Sequence, residues 1–226
     1  MHRKITKVAN LKFSTNDLDR IDLDKTIRER KMWAKLDNDF FVQYRSSWVE
    51  LSDERVLKQF LSQEQFQSGS QPKDAVDGAD HKIYAILHIQ MDLCPLTLKK
   101  ALDQLKDYFQ IQSRSQVLPP LGYYISCELL VEILDCIQFL HKHSILHRDI
   151  NPNNIMIRPT HNSRFVRIAD FGGAVEHMPD MTHTRMYGTL RYMAPEVANS
   201  SKYDTSADVY SIGVMTQEMF NFDINV

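Results

Sequence analysis

The sequence predicts an α+β chain of two lobes, the first carrying a small sheet and the second mainly helical. Aromatic and β-branched runs lie before residue 94, and the helical period dominates after residue 95. A length of 226 residues, 43% of them hydrophobic, suffices for one domain or two small lobes with a substantial core. The expected boundaries are residues 1–94 and 95–226.

Taken in order, DLDKTIRERKMWAKLD at residues 22–37 is rich in helix formers and sets Glu29, Trp33 and Leu36 on one face, so a helix is expected. FFVQYRSSWVEL at 40–51 and HKIYAILHIQMDL at 81–93 have strand composition and belong to one small sheet. Between them, residues 52–80 begin as a short helix and end in SGSQPKDAVDGAD, an aperiodic polar insert loop. After Pro95, LTLKKALDQLKDYF reads as an amphipathic helix, and a loop follows that ends at Pro119 and Pro120. Over residues 121–143, Ile125, Leu129, Ile133, Ile137 and Leu140 form one apolar stripe, which predicts a core helix. Two short β-like runs follow at 155–158 and 165–169, then a loop-rich segment to Pro195 and a last helix near 205–222. No internal repeat is present.

Lys and Arg total 27 against 29 Asp and Glu, and a net charge of -2 gives no electrostatic reason to expect nucleic acid or an anionic membrane as partner. The three cysteines, Cys94, Cys127 and Cys136, are odd in number and form no C-x-x-C pair, which fits a reducing, cytoplasmic setting with inert thiols in the long helix. Residues 1–20 hold no uninterrupted apolar run, and 129–140 is broken by Glu132 and Asp135, so neither a signal peptide nor a membrane span is expected.

The chemistry is carried by HRDINPNN at 147–154, DFG at 170–172 and APE at 194–196, followed by SADVYSIGV around Asp208. These four ordered motifs resemble the catalytic loop, metal-binding turn, activation-segment end and following helix of the protein kinases. The fold implied is protein-kinase-like and two-lobed, with an incomplete N-lobe sheet and a C-lobe ending after its F helix. Phosphoryl transfer needs a carboxylate near the attacking hydroxyl and hard oxygen ligands for magnesium. Asp149 fits the first role, and Asn154 and Asp170 fit the second, with ATP and Mg2+ as the implied cofactors. Gly172 is expected to supply the backbone freedom that turns Asp170 toward the metal while Phe171 packs inward, beside His147 and Trp33. Arg148 resembles the arginine that pairs with a phosphorylated activation-segment residue; Thr184 is the first candidate and Thr182 the second. Thr189 resembles the threonine that contacts the catalytic loop.

The N-terminal half narrows the resemblance. Glu29 is similar to the glutamate that pairs with a phosphate-binding lysine, for which Lys4, Lys7 and Lys12 are the candidates. The insert, the hinge-like IQMDLC and the GTLRYM segment at 188–193 together resemble the eukaryotic initiation factor 2 alpha-subunit kinases. That resemblance implies a serine/threonine kinase in stress control of translation, with a protein substrate such as the initiation factor 2 alpha subunit, and a homodimer. It implies ATP binding through Glu29, Met91, Asp92, Cys94, Asn154, Met156 and Asp170, with Met91 as gatekeeper.

Three departures stand beside it. The first 68 residues contain no glycine, so the Gly-rich loop of the family is not found. The lysine of strand 3 lacks its usual A-x-K setting. The lysine two residues after the catalytic aspartate is replaced by Asn151, a loss of about 2 to 4 kcal/mol of transition-state stabilisation by analogy with removing one preorganised donor. A module that keeps the fold without turnover is therefore the alternative function. With the chain ending at Val226, the apolar residues Val209, Ile212, Met215 and Met219 of the last helix are expected to be partly exposed.

Overall fold

The structure is a computed structural model and describes residues 3–13, 32, 36, 38–52, 83–111, 117–158, 164–178 and 180–222. The helix expected over 22–37, with Glu29 and Trp33, lies outside the described residues apart from Met32 and Leu36, both buried. The insert loop lies outside them apart from Ser52. Contacts divide the chain into two compact units, residues 1–30 with 44–92 and residues 31–43 with 93–226.

The first unit is an antiparallel three-stranded sheet of β1 (Arg3–Phe13), β2 (Tyr44–Ser52) and β3 (Ile83–Met91), in the order β1-β3-β2. IYAILHIQM takes the centre because β-branched and aromatic residues suit a strand paired on both edges. Lys4 lies opposite Gln90, Lys7 opposite Leu87 and Lys12 opposite Tyr84, with a register shift between Lys7 and Leu11. Across β2 and β3, Ser46 Oγ donates to Gln90 Oε1 at 2.8 Å and the Trp48 ring stacks on His88 at 5.0 Å. Such cross-strand pairs pin the register.

The strand expected from Phe40 begins at Tyr44 instead. The reason is that residues 38–42 are engaged in the second unit. Phe41 is fully buried and bridges in parallel to Ile168, Val42 N–H donates to Ile168 O at 3.0 Å, and Ile168 N–H donates to Phe40 O at 2.9 Å. Arg167 fastens the same turn by donating to Phe41 O and to Asp39.

The second unit starts with β4 (Leu96–Thr97) and α1 (Leu98–Tyr108), whose N-cap Thr97 accepts from Lys100 N–H at 3.2 Å. Next comes α2 (Pro120–Lys142), with Pro120 at the first helical position, where no backbone donor is missed. Its stripe is buried at Leu129, Ile133, Ile137 and Leu140, with Cys136 added, while Ile125 is only half-buried. The remaining elements are β5 (Ile145–Leu146), β6 (Ile155–Ile157), β7 (Val166–Ile168), β8 (Val175–Glu176), α3 (Pro195–Asn199) and α4 (Ser206–Met219). β4, β6 and β7 form one sheet, and β5 pairs with β8.

The exposure expected along α4 holds only for Val209, which is 55% exposed. Ile212, Met215 and Met219 are buried at 4%, 0% and 1% exposure. Elements within the chain cover them: Ser126 of α2 donates to Met219 O at 2.7 Å, and Ser211 of α4 donates to Tyr192 O at 2.7 Å. Burial of these side chains contributes about 1.5 to 3 kcal/mol each.

Burial pushes the Cys136 thiol up to about 12, against the opposing pull of Arg164. A raised thiol value means that its contribution to stability is complete below the ordinary cysteine range and is lost as pH rises through the folded value. Folded protein at about pH 8 is therefore expected to leave Cys136 unalkylated by iodoacetamide, with labelling appearing only in denaturant; peptide mass spectrometry reads the difference.

Candidate active site

The site is built on the turn between β5 and β6. Asp208, at the start of α4, is fully buried, and its carboxylate accepts the backbone N–H groups of His147 at 3.0 Å and Arg148 at 2.8 Å. His141 Nε2 lies 2.9 Å from the same carboxylate. Two successive N–H groups reach one anion only if the backbone between them turns sharply, and Arg148 has φ of 70°, in the left-handed region. The next residue, Asp149, is thereby held at the tip of the turn.

His147 is fully buried and fixes the loop from within. Its Nδ1 accepts from Asp149 N–H at 3.3 Å, so its Nε2 carries the proton and donates to Ala169 O at 3.2 Å. Its ring meets Phe171 edge-on at 5.2 Å, and Phe171 meets Phe41 at 5.4 Å. The expected partner Trp33 lies outside the described residues.

The Asp149 carboxylate accepts from four donors. Oδ1 takes Asn151 Nδ2 at 3.0 Å, Thr189 N–H at 2.9 Å and Thr189 Oγ1–H at 2.7 Å. Oδ2 takes Asn154 Nδ2 at 2.9 Å, and Asn154 Nδ2 also donates to Asp149 O at 2.8 Å. With its amide nitrogen so engaged, Asn154 keeps its amide oxygen as the end able to meet a cation. The hairpin of β6 and β7 carries Asn154 and Asp170 to the same end: Ile155 pairs with Ile168, and Ala169 N–H donates to Asn154 O at 2.9 Å. An amide oxygen and a carboxylate are hard donors of the kind that would suit a magnesium ion.

The turn at residues 170–172 differs from expectation. Asp170, not Gly172, takes the left-handed conformation, with φ of 63° and ψ of 76°. Its own side chain offsets the cost by accepting Gly172 N–H at 3.2 Å, a local bond open to aspartate, while Phe171–Gly173 close a 3-10 turn. Among the described glycines only Gly188 has a positive φ, at 108°, and a Cβ there would run into the Arg148 carbonyl oxygen. The backbone before Thr189 is thus pressed against the catalytic loop.

Arg148 makes neutral contacts. Nε donates to Gly173 O at 2.5 Å, Nη1 to the Tyr203 hydroxyl at 3.3 Å, and the guanidinium lies 4.6 Å from the centre of the Tyr187 ring. Tyr203 OH in turn donates to Thr184 O at 2.7 Å, and Thr184 and Thr182 are both exposed. His183 is nearly buried beneath them, 2.8 Å from His177 through Nε2 and Nδ1. Burial, aided by the charges of His177 and Arg148, holds His183 below the usual imidazole range.

Of the other residues singled out, Met91 and Asp92 are buried in the first unit, where Arg45 Nε donates to Asp92 Oδ1 at 2.7 Å. Cys94 and Met156 are half-buried in the second unit. Glu29 lies outside the described residues, and for Lys4, Lys7 and Lys12 only the backbone pairing is described. Sequence reasoning missed the anchoring role of Asp208; its one signal was its position in SADV, and its partners lie 60 and 61 residues away.

Comparisons with known proteins accord with this geometry. A family model described as protein kinase domain matches residues 1–224. Eukaryotic translation initiation factor 2-alpha kinase 1 of Mus musculus is 28% identical over 151 residues, 62% of this chain and 24% of that protein. The protein of the same name from Plasmodium falciparum is 34% identical over 136 residues, 60% of this chain and 8% of that protein. Aurora kinase of Saccharomyces cerevisiae is 29% identical over 100 residues, 44% of this chain and 26% of that protein. The chain thus spans about a quarter or less of the mouse and Plasmodium relatives. No helix among the described residues is long and apolar enough to cross a membrane.

Two outcomes are expected. Asp208→Asn keeps the shape but turns one accepting oxygen into a donor that faces a backbone N–H, so stability should fall by about 1 to 3 kcal/mol in urea denaturation. For His183, a lowered folded value favours the neutral ring, so its contribution is complete above the usual imidazole value and is lost as pH falls through the folded value. Protection factors of the amides of residues 181–187, taken against the intrinsic exchange rate at each pH, should fall as pH drops from about 7.5 to about 5, and His183→Gln should flatten that response.

Proposed function

The chain belongs to the protein kinase domain family, and from that premise we propose that it transfers the γ-phosphoryl of ATP to a serine or threonine hydroxyl of a protein substrate. The observation that carries this reading is the Asp149 carboxylate, oriented by Asn151, Asn154 and Thr189 at the tip of a loop anchored on Asp208. Asp149 receives the proton of the attacking hydroxyl and aims its oxygen at the phosphorus. Asn154 and Asp170 would hold the divalent ion, which would neutralise charge on the phosphates. Met91, Asp92, Cys94 and Met156 keep the nucleotide-binding role implied by their motifs, as does Glu29.

The substrate we favour is the alpha subunit of initiation factor 2, and the role is translation control. The names of the mouse and Plasmodium relatives support this choice, as do the hinge and GTLRYM segments. Thr184 is the proposed regulatory phosphosite. In support, Thr184 is exposed, its carbonyl holds Tyr203, and Tyr203 accepts from an Arg148 that forms no ion pair among the described residues.

One observation favours a second reading, a binding module without turnover: Asn151 stands where the family places a lysine. Labelled phosphate transfer from ATP and Mg2+ to the initiation factor 2 alpha subunit separates the two. The kinase reading expects Asp149→Ala to lower kcat by about 100-fold or more. Equal transfer by both proteins supports the module.

A further inference from the structure

We infer that Asn151 is a positioning residue for phosphoryl transfer: its amide, with no charge, ties the Asp149 carboxylate to Thr189, so that aiming the carboxylate and seating the segment before APE become one event. The inference rests on the kinase reading above and concerns a side chain, Asn151, that departs from the family's lysine.

Asn151 is 3% exposed, and both ends of its amide are committed. Nδ2 lies 3.0 Å from Asp149 Oδ1, 3.2 Å from Asp149 O and 3.3 Å from Thr189 Oγ1. Oδ1 accepts Asn153 N–H at 2.9 Å, and the Asn151 backbone carbonyl accepts Asn154 N–H at 3.0 Å. Thr189 Oγ1–H donates to Asp149 Oδ1 at 2.7 Å, so its lone pair is turned toward the Asn151 amide. Asn151, Asp149 and Thr189 therefore close a three-membered ring of hydrogen bonds. The direction of each bond is fixed, because the carboxylate can only accept and Asn153 N–H can only donate.

A lysine at this position would supply donors but could not accept the Asn153 N–H. Asparagine does both from a buried site. It shapes the loop through its oxygen and orients the carboxylate through its nitrogen, two functions that chemistry can separate. Asn151→Asp keeps an oxygen for Asn153 N–H and removes the donor, setting a second carboxylate against Asp149. Asn151→Ala removes both.

The test measures phosphate transfer to the initiation factor 2 alpha subunit, KM for ATP, thermal unfolding and hydrogen exchange at the Thr189 amide, in the full chain and in both variants. Positioning expects Asn151→Asp and Asn151→Ala each to lower kcat by about 100-fold with KM for ATP within a few-fold. It also expects faster exchange at Thr189 in each, beyond any change that the unfolding midpoint accounts for. Thr189→Val should cost less activity in the Asn151→Ala background than it costs alone, since both break the same ring. An active unaltered chain whose Asn151→Asp variant keeps kcat and Thr189 protection overturns the inference alone and leaves Asn151 a loop-shaping residue. An unaltered chain that transfers no phosphate overturns the kinase reading and the inference together.

Discussion

The geometry of the site depends on a buried carboxylate. Asp208 has no exposed surface, and a charge removed from water is tolerated only where donors replace its hydration. The backbone N–H groups of His147 and Arg148 converge on it, with His141 as a third neighbour. That convergence requires the left-handed backbone at Arg148, which would cost about 1 to 3 kcal/mol if nothing enforced it. A charged acceptor is roughly twice as strong a partner as a neutral one, so the two bonds to Asp208 offset the strain. The tip of the turn, and with it Asp149, inherits its direction from a helix about sixty residues later in the chain.

The motifs were legible in the sequence because they are short and ordered, and the long α2 stripe was legible because five apolar residues kept one helical face. What escaped reading was whatever depends on distant partners. Residues 40–42 have strand composition, yet they bind Ile168 and Arg167 at a separation that no local pattern encodes. At residues 170–172 the glycine was the natural place to look for a special backbone, but an aspartate that can bond its own following N–H took the left-handed position. Along α4, Ile212, Met215 and Met219 looked uncovered only because their covers, α2 and the turn at Leu190–Tyr192, lie earlier in the chain.

The hairpin of β6 and β7 shows how little structure is needed to bring Asn154 and Asp170 to one end. Three residue pairs set the register, and the bond from Ala169 N–H to Asn154 O fixes the position just past the last pair. A slip of one residue would turn the slipped strand's side chains to the opposite face and shift Asn154 relative to Asp170. The register is guarded from two sides. Glu132 of α2 accepts the N–H groups of Phe165 and Val166, and Phe41 with Val42 occupies the other edge at Ile168.

Arg148 links these constraints to the segment that follows. Its backbone N–H serves Asp208 while its side chain reaches Gly173, Tyr203 and Tyr187, so one residue touches the anchor helix, the metal-type turn and the segment before APE. The side-chain partners are a carbonyl, a hydroxyl and an aromatic face; each accepts a hydrogen bond or a cation, and none brings a negative charge. The two neighbouring imidazoles cannot supply one either, and the field of the guanidinium contributes to keeping His183 neutral. A half-buried cation solvated by dipoles alone gains more from a dianion than an exposed one already paired with a carboxylate would. Because Tyr203 joins this guanidinium to the Thr184 carbonyl, negative charge arriving near Thr184 would meet a cation whose position is already set by the catalytic loop. The contacts that shape the turn carrying Asp149 therefore also fix the position of the Arg148 guanidinium.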